Sequence, residues 1–178
     1  MSRVARADRG LRIGTTAAIG AALALLLASP VAWAEDPALL AVGLGVYDLE
    51  DHSQRQVQLR VEYRFAEHFL SIVSPVAGAL VTNRQSFYGY GGVRLDLAVG
   101  QHFVLMPVAA IGYWRRGNGE NLGSGVEFKT GIELAYRFDD AARLGIAFDH
   151  ISNAGLGLTN PGVESLLLVY SIPLGAVK

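Results

Sequence analysis

The run Val57-Gln58-Leu59-Arg60-Val61-Glu62-Tyr63-Arg64-Phe65 alternates strictly between apolar and polar side chains. Val57, Leu59, Val61, Tyr63 and Phe65 face one way; Gln58, Arg60, Glu62 and Arg64 face the other. A period of two marks a β-strand with two unlike faces, whereas an α-helix would spread these charges around its whole circumference. The run from Val126 to Phe138 repeats the pattern. Val126, Phe128, Thr130, Ile132, Leu134, Tyr136 and Phe138 share one face, and Glu127, Lys129, Gly131, Glu133, Ala135 and Arg137 share the other.

Working outward at this spacing gives eight strand segments, at 39–49, 56–65, 69–81, 87–99, 103–114, 126–138, 143–152 and 163–173. Short connections (Ala66-Glu67-His68, Gly100-Gln101-His102, Asp139 to Ala142) alternate with mostly longer loops at 50–55, 82–86, 115–125 and 153–162. Short turns at one end and long loops at the other are the habit of membrane barrels. A soluble lipocalin-like barrel also alternates, but it would keep its aromatic side chains inside. Here Tyr63, Phe65, Phe103, Tyr136 and Phe138 fall on the apolar face beside the short turns, and Phe87, Tyr113 and Phe148 fall toward the opposite ends. Two such girdles around an aliphatic band belong to a lipid-facing exterior. The other face carries Arg60, Arg64, Arg94, Lys129, Arg137 and Arg143 against Glu62, Asp96, Glu127, Glu133 and Asp149. Eight strands leave an interior just wide enough for side chains to fill, so this set reads as a packed polar lumen and not a pore.

Composition agrees. The chain is 51% hydrophobic and 17% charged, with a mean hydropathy of +0.31. Yet beyond the N-terminal segment it has no apolar run of about 18 residues, the length a transmembrane helix needs. The net charge of −1 argues against a nucleic-acid partner. The absence of cysteine excludes disulfides, thiolate metal sites and a cysteine nucleophile. Residues 1–34 read as a cleaved secretory signal peptide. Arg3, Arg6, Arg9 and Arg12 make its basic region, Ile13 to Ala28 its apolar stretch, and Ala32-Trp33-Ala34 its cleavage site. Removing it takes four arginines and one aspartate from a total of 15 basic and 16 acidic side chains. The 144 residues of 35–178 then carry a net charge of −4. The expectation is one domain over 35–178, an all-β, eight-stranded antiparallel transmembrane barrel of the outer membrane.

Two strands break their own rule. Leu144, Ile146 and Phe148 lie on the apolar face, and the next residues of that parity are His150 and Ser152. Glu164 shares its face with Leu166, Leu168 and Tyr170. At ~3.3 Å per residue and a tilt of ~40°, His150 and Glu164 both lie roughly 18 Å up an apolar band ~25 Å tall. Histidine, serine and a carboxylate side by side suit acyl transfer: the base takes the serine proton and the carboxylate orients the imidazole. Asn153, Gly155 and Asn160 follow in the adjoining loop and are candidate donors to an oxyanion. Turn chemistry alone also accounts for Asn and Gly there, and spacing alone leaves a chance polar cluster open. His52, His68 and His102 lack a second ligand at metal spacing. Arg115-Arg116 is either a phosphate contact or a solvated pair.

The segment Phe148-Asp149-His150-Ile151-Ser152-Asn153-Ala154-Gly155, continuing Asn160-Pro161-Gly162-Val163-Glu164, resembles the H-x-S-N-A…N-x-G-x-E region of the PagL-type lipid A 3-O-deacylases. The resemblance is dense over 148–170, and elsewhere it rests on architecture and size. It implies an outer-membrane carboxylic ester hydrolase that removes the 3-O-linked 3-hydroxyacyl chain of lipid A. The implied catalytic residues are His150, Ser152 and Glu164 on the barrel exterior, with Asn153, Gly155 and Asn160 at the oxyanion hole and no cofactor or metal. The partners it implies are lipopolysaccharide and outer-membrane lipid, with a homodimer left open. The competing expectations are a structural or adhesion barrel without catalysis, and an acyltransferase barrel, which needs an internal acyl pocket.

Overall fold

The computed structural model describes residues 36–67, 69 and 73–175, so the signal segment and His68 lie outside the described residues. Among the described residues nine strands form: β1 (Leu39–Tyr47), β2 (Gln56–Arg64), β3 (Val73–Thr82), β4 (Phe87–Leu95), β5 (Leu97–Val99), β6 (Phe103–Arg115), β7 (Val126–Arg137), β8 (Arg143–Ser152) and β9 (Val163–Pro173). Every pairing is antiparallel between neighbours, and β1 pairs with β9 from Leu39↔Pro173 to Tyr47↔Ser165. The sheet therefore closes on itself and leaves no free edge.

The segment expected at 87–99 is one stave interrupted at Asp96. Its register against β6 does not shift across the gap: Arg94 pairs with Val108 and Leu97 with Leu105. The barrel thus has eight staves. The first segment stops at Tyr47 rather than 49, where Asp48 takes a left-handed backbone (φ 64°). The third strand begins at Val73, beyond an isolated bridge from Phe69.

Parity holds around the barrel. Leu59, Val61, Ile132, Leu134, Ile146 and Leu168 are exposed, and Arg60, Glu62, Arg64, Lys129, Glu133 and Asp149 are buried. Tyr63, Phe103, Tyr136 and Phe138 are exposed at the turn end, and Phe87, Tyr113 and Phe148 are exposed toward the loop end. Within the lower girdle Tyr136 meets Phe103 and Phe138 edge-on at 5.5 and 5.1 Å. Leu134→Arg puts a charge against lipid, and the expected cost is about 2–4 kcal/mol near the bilayer midplane. The measurement is the urea midpoint of the barrel refolded in lipid vesicles.

The lumen has two tiers. In the half toward the turns, Glu133 accepts from Arg64 at 2.6 Å and from Arg60 at 3.4 Å. Asp149 pairs with Arg60 and lies 3.5 Å from Lys129. Asp96 bridges Arg94 and Arg143, each at 3.1 Å. Asp36, outside every expected strand, closes the turn end by taking Arg143 at 2.6 Å and Arg137 at 2.7 Å. The half toward the loops holds an apolar and aromatic cluster of Tyr47, Leu80, Tyr88, Tyr90, Trp114, Ile151 and Val163, beside buried Gln56, Gln58 and Glu127. Tyr47 stacks on Trp114 at 5.6 Å. Beside the two exterior girdles, the barrel thus carries aromatic side chains inside as well. Near the loop ends an eight-stranded interior must be filled, and the flat rings take up much of that space beside the buried Glu127.

Candidate active site

Strands β8 and β9 form the hairpin that carries the polar trio. Their register places His150 directly across from Glu164, above the lipid-facing pair Phe148↔Leu166. Directly opposed side chains on one face start about 4.5–5.5 Å apart at Cβ, close enough for direct contact. His150 Nδ1 and Glu164 Oε1 are 2.7 Å apart. The two side chains are 41% and 23% exposed, which places them on the outer wall and not in the lumen. With Nδ1 committed to the carboxylate, the neutral imidazole keeps its lone pair on Nε2, the nitrogen that can accept a proton.

Ser152 follows on the same outward face and is half-buried. Its hydroxyl has no hydrogen bond among the described residues. Contacts of this kind are often loose without substrate and tighten in the complex. Asp149 and Ser165, the neighbours of opposite parity, point inward and are buried.

The loop after Ser152 is built around Asn153, which is fully buried. Its Nδ2 donates to the carbonyls of Leu122 at 2.6 Å and Thr159 at 2.7 Å. Its Oδ1 accepts from Gly155 N–H at 2.8 Å, and its own N–H donates to Asn160 Oδ1 at 2.9 Å. Leu122, from the neighbouring long loop, is itself buried in the aromatic tier. Asn153 is thus a clamp between two loops. Both of its side-chain N–H groups are committed within these loops, as is the Gly155 N–H. Of the three candidates, Asn160 keeps its amide donors, because only its carbonyl oxygen is engaged. Sequence reading missed the clamp because Leu122 lies 31 residues from Asn153. Asn153→Ala strands the buried carbonyl of Leu122 and the half-buried one of Thr159, and the expected loss is about 1–3 kcal/mol, read as a lower urea midpoint.

Other singled-out residues separate clearly. Arg116 Nε donates to Gly119 O at 2.9 Å and so folds onto its own loop, whereas Arg115 is exposed. His52 is exposed in a loop, and His102 stacks on Tyr136 at 5.2 Å. Among the described residues no three His, Asp or Glu side chains gather as a metal would require.

Comparison with known proteins adds to this geometry. The family model described as Lipid A 3-O-deacylase (PagL) matches residues 30–173. Lipid A deacylase PagL of Pseudomonas aeruginosa is 40% identical over 67 residues, a match spanning 38% of this chain and 38% of that protein. The crystal structure of the outer membrane enzyme PagL superposes with a TM-score of 0.59 at 22% identity, covering 76% of this chain and 99% of that one. A de novo designed transmembrane β-barrel superposes with a TM-score of 0.58 at 11% identity, covering 78% and 96%. At these identities the two structural matches speak to the barrel fold alone.

Proposed function

From the premise that the chain belongs to the lipid A 3-O-deacylase (PagL) family, we propose that it is an outer-membrane esterase that hydrolyses the 3-O-linked 3-hydroxyacyl chain of lipid A. Ser152 is the nucleophile, His150 the general base and then acid, and Glu164 the carboxylate that orients the imidazole. The observation that carries this reading is the hydrogen-bonded His150–Glu164 pair on the lipid-facing wall. An ionisable pair exposed there is costly, and such placement is characteristic of function.

In the first step Ser152 Oγ attacks the ester carbonyl carbon and its proton passes to His150 Nε2. Glu164 offsets the charge of the imidazolium that results. The Asn160 amide is assigned to the developing oxyanion, while Asn153 and Gly155 hold the loop in place. Collapse of the tetrahedral intermediate breaks the bond to the sugar oxygen, which takes the proton from His150. Water, activated by the same base, then releases the fatty acid from Ser152.

Topology supports this chemistry. An exterior site lets lipopolysaccharide arrive by lateral diffusion, with no need to leave the leaflet or to meet a second copy of the barrel. Leu156 and Leu158 stand exposed in the adjoining loop and extend the apolar surface past the trio. The lumen is occupied by ion pairs and aromatic side chains, which weighs against an acyltransferase with an internal acyl pocket. The test is mass spectrometry of lipid A from cells with and without the protein. The expected difference is loss of one 3-hydroxyacyl mass, and unchanged lipid A would refute the assignment.

A further inference from the structure

A glycine lies against the His150 ring. The β8–β9 register runs His150↔Glu164 and Ile151↔Val163. Gly162 is the residue immediately before β9, where this ladder ends. A Cβ placed on Gly162 would lie 2.8 Å from His150 Cε1 and 3.5 Å from Nε2. Carbon atoms in favourable contact stay about 3.5–4.0 Å apart, so 2.8 Å is a collision. The imidazole therefore leans over the bare backbone of Gly162. Glu164 holds its Nδ1 side, and its Cε1–Nε2 edge lies against Gly162.

Backbone conformation does not by itself demand glycine here. Gly162 has φ +70°. Asp48, Gln85, Ala141 and Ala154 take left-handed values of 64°, 66°, 64° and 53° in the same chain, two of them alanines. What separates position 162 is the ring occupying the space a side chain would need.

We propose that Gly162 is a positioning residue for the general base: its missing side chain leaves the notch in which the His150 ring lies. The inference rests on the Ser152–His150–Glu164 reading and deepens it. A side chain at 162 would drive the ring outward, breaking either its hydrogen bond to Glu164 or its approach to Ser152.

The test begins with Gly162→Ala in the full refolded barrel. Displacing a catalytic group by about 1 Å can cost on the order of 100-fold, so kcat for fatty-acid release from lipopolysaccharide should fall about 100-fold with KM unchanged. Gly100→Ala is the control for backbone strain: it has φ +68°, nothing lies within 4 Å of its Cβ, and it sits at a distant turn. It should release at the wild-type rate. The second measurement is stability. Gly162→Ala should lower the urea midpoint, and should lower it less on a His150→Ala background, where the added methyl enters vacated space. If Gly162→Ala alone fails to fold, recovery of the fold in the double variant reports the same coupling. Wild-type kcat in Gly162→Ala, an equal loss in Gly100→Ala, or equal midpoint shifts on both backgrounds would each overturn the proposal. The stability cycle involves no catalysis, so the two readings fail separately. An active Ser152→Ala removes the triad and leaves the coupling, whereas a flat cycle beside an inactive Ser152→Ala removes the role of Gly162 alone.

Discussion

Ser152→Ala and His150→Ala are each expected to lower release of 3-hydroxy fatty acid from lipopolysaccharide by about 10⁴-fold or more, with the barrel still folded. Losses of this size follow removal of a nucleophile or its base, because no other group forms the acyl intermediate. Folding should survive: both side chains sit at the loop end of β8 on the outer wall, and each change replaces a polar group by an apolar one facing lipid. Glu164→Ala should be milder by roughly two orders of magnitude, since the carboxylate orients the imidazole and does not itself transfer the proton. The losses should not add, so the Ser152→Ala/His150→Ala double should be about as inactive as either single. Ser165→Ala is the silent control, because Ser165 is buried on the lumen side, 3.4 Å from Gln58 Oε1. The assay is fatty-acid release by refolded variants in detergent. Near-wild-type release by Ser152→Ala would end the serine-esterase reading and leave a family barrel with a different nucleophile.

Glu133→Ala should be the most damaging single change in the lumen. Glu133 is the carboxylate shared by Arg60 and Arg64. Truncation leaves two buried guanidiniums contending for Asp149 and Glu62. Breaking a buried pair from one side costs about 3–5 kcal/mol, because the remaining charge keeps its desolvation penalty. Replacing a whole ionic cluster by well-packed apolar groups would cost far less, so the network argues for mutual dependence among its members and not for unusual stability. The readout is the urea midpoint of the folded, faster-migrating band on unheated electrophoresis gels. A midpoint equal to wild type would mean that water reaches these charges and the lumen is open.

The inner and outer faces of the strongly alternating staves, and the parity that sets His150, Ser152 and Glu164 on the greasy face, were legible before any coordinates, whereas Pro75, Gly78 and small neighbours blur the parity of the third. Side-chain direction in a strand is a local property with a period of two, so each strand states its own faces. The turn and loop lengths added the up-and-down order. What no strand could state was which inward side chains share a level. Arg60 meets Asp149 across 89 residues and Arg143 meets Asp36 across 107, and such partners are set only when the sheet closes with one particular stagger. Closure also decided that Tyr47, Tyr88, Tyr90 and Trp114 turn inward as an apolar tier, that Leu122 folds into it, and that Asn153 spends its amide on the Leu122 carbonyl. The notch at Gly162 belongs to the same class. The sequence shows a glycine, which any loop would accept, and only the position of the imidazole across the hairpin shows what the absent side chain makes room for.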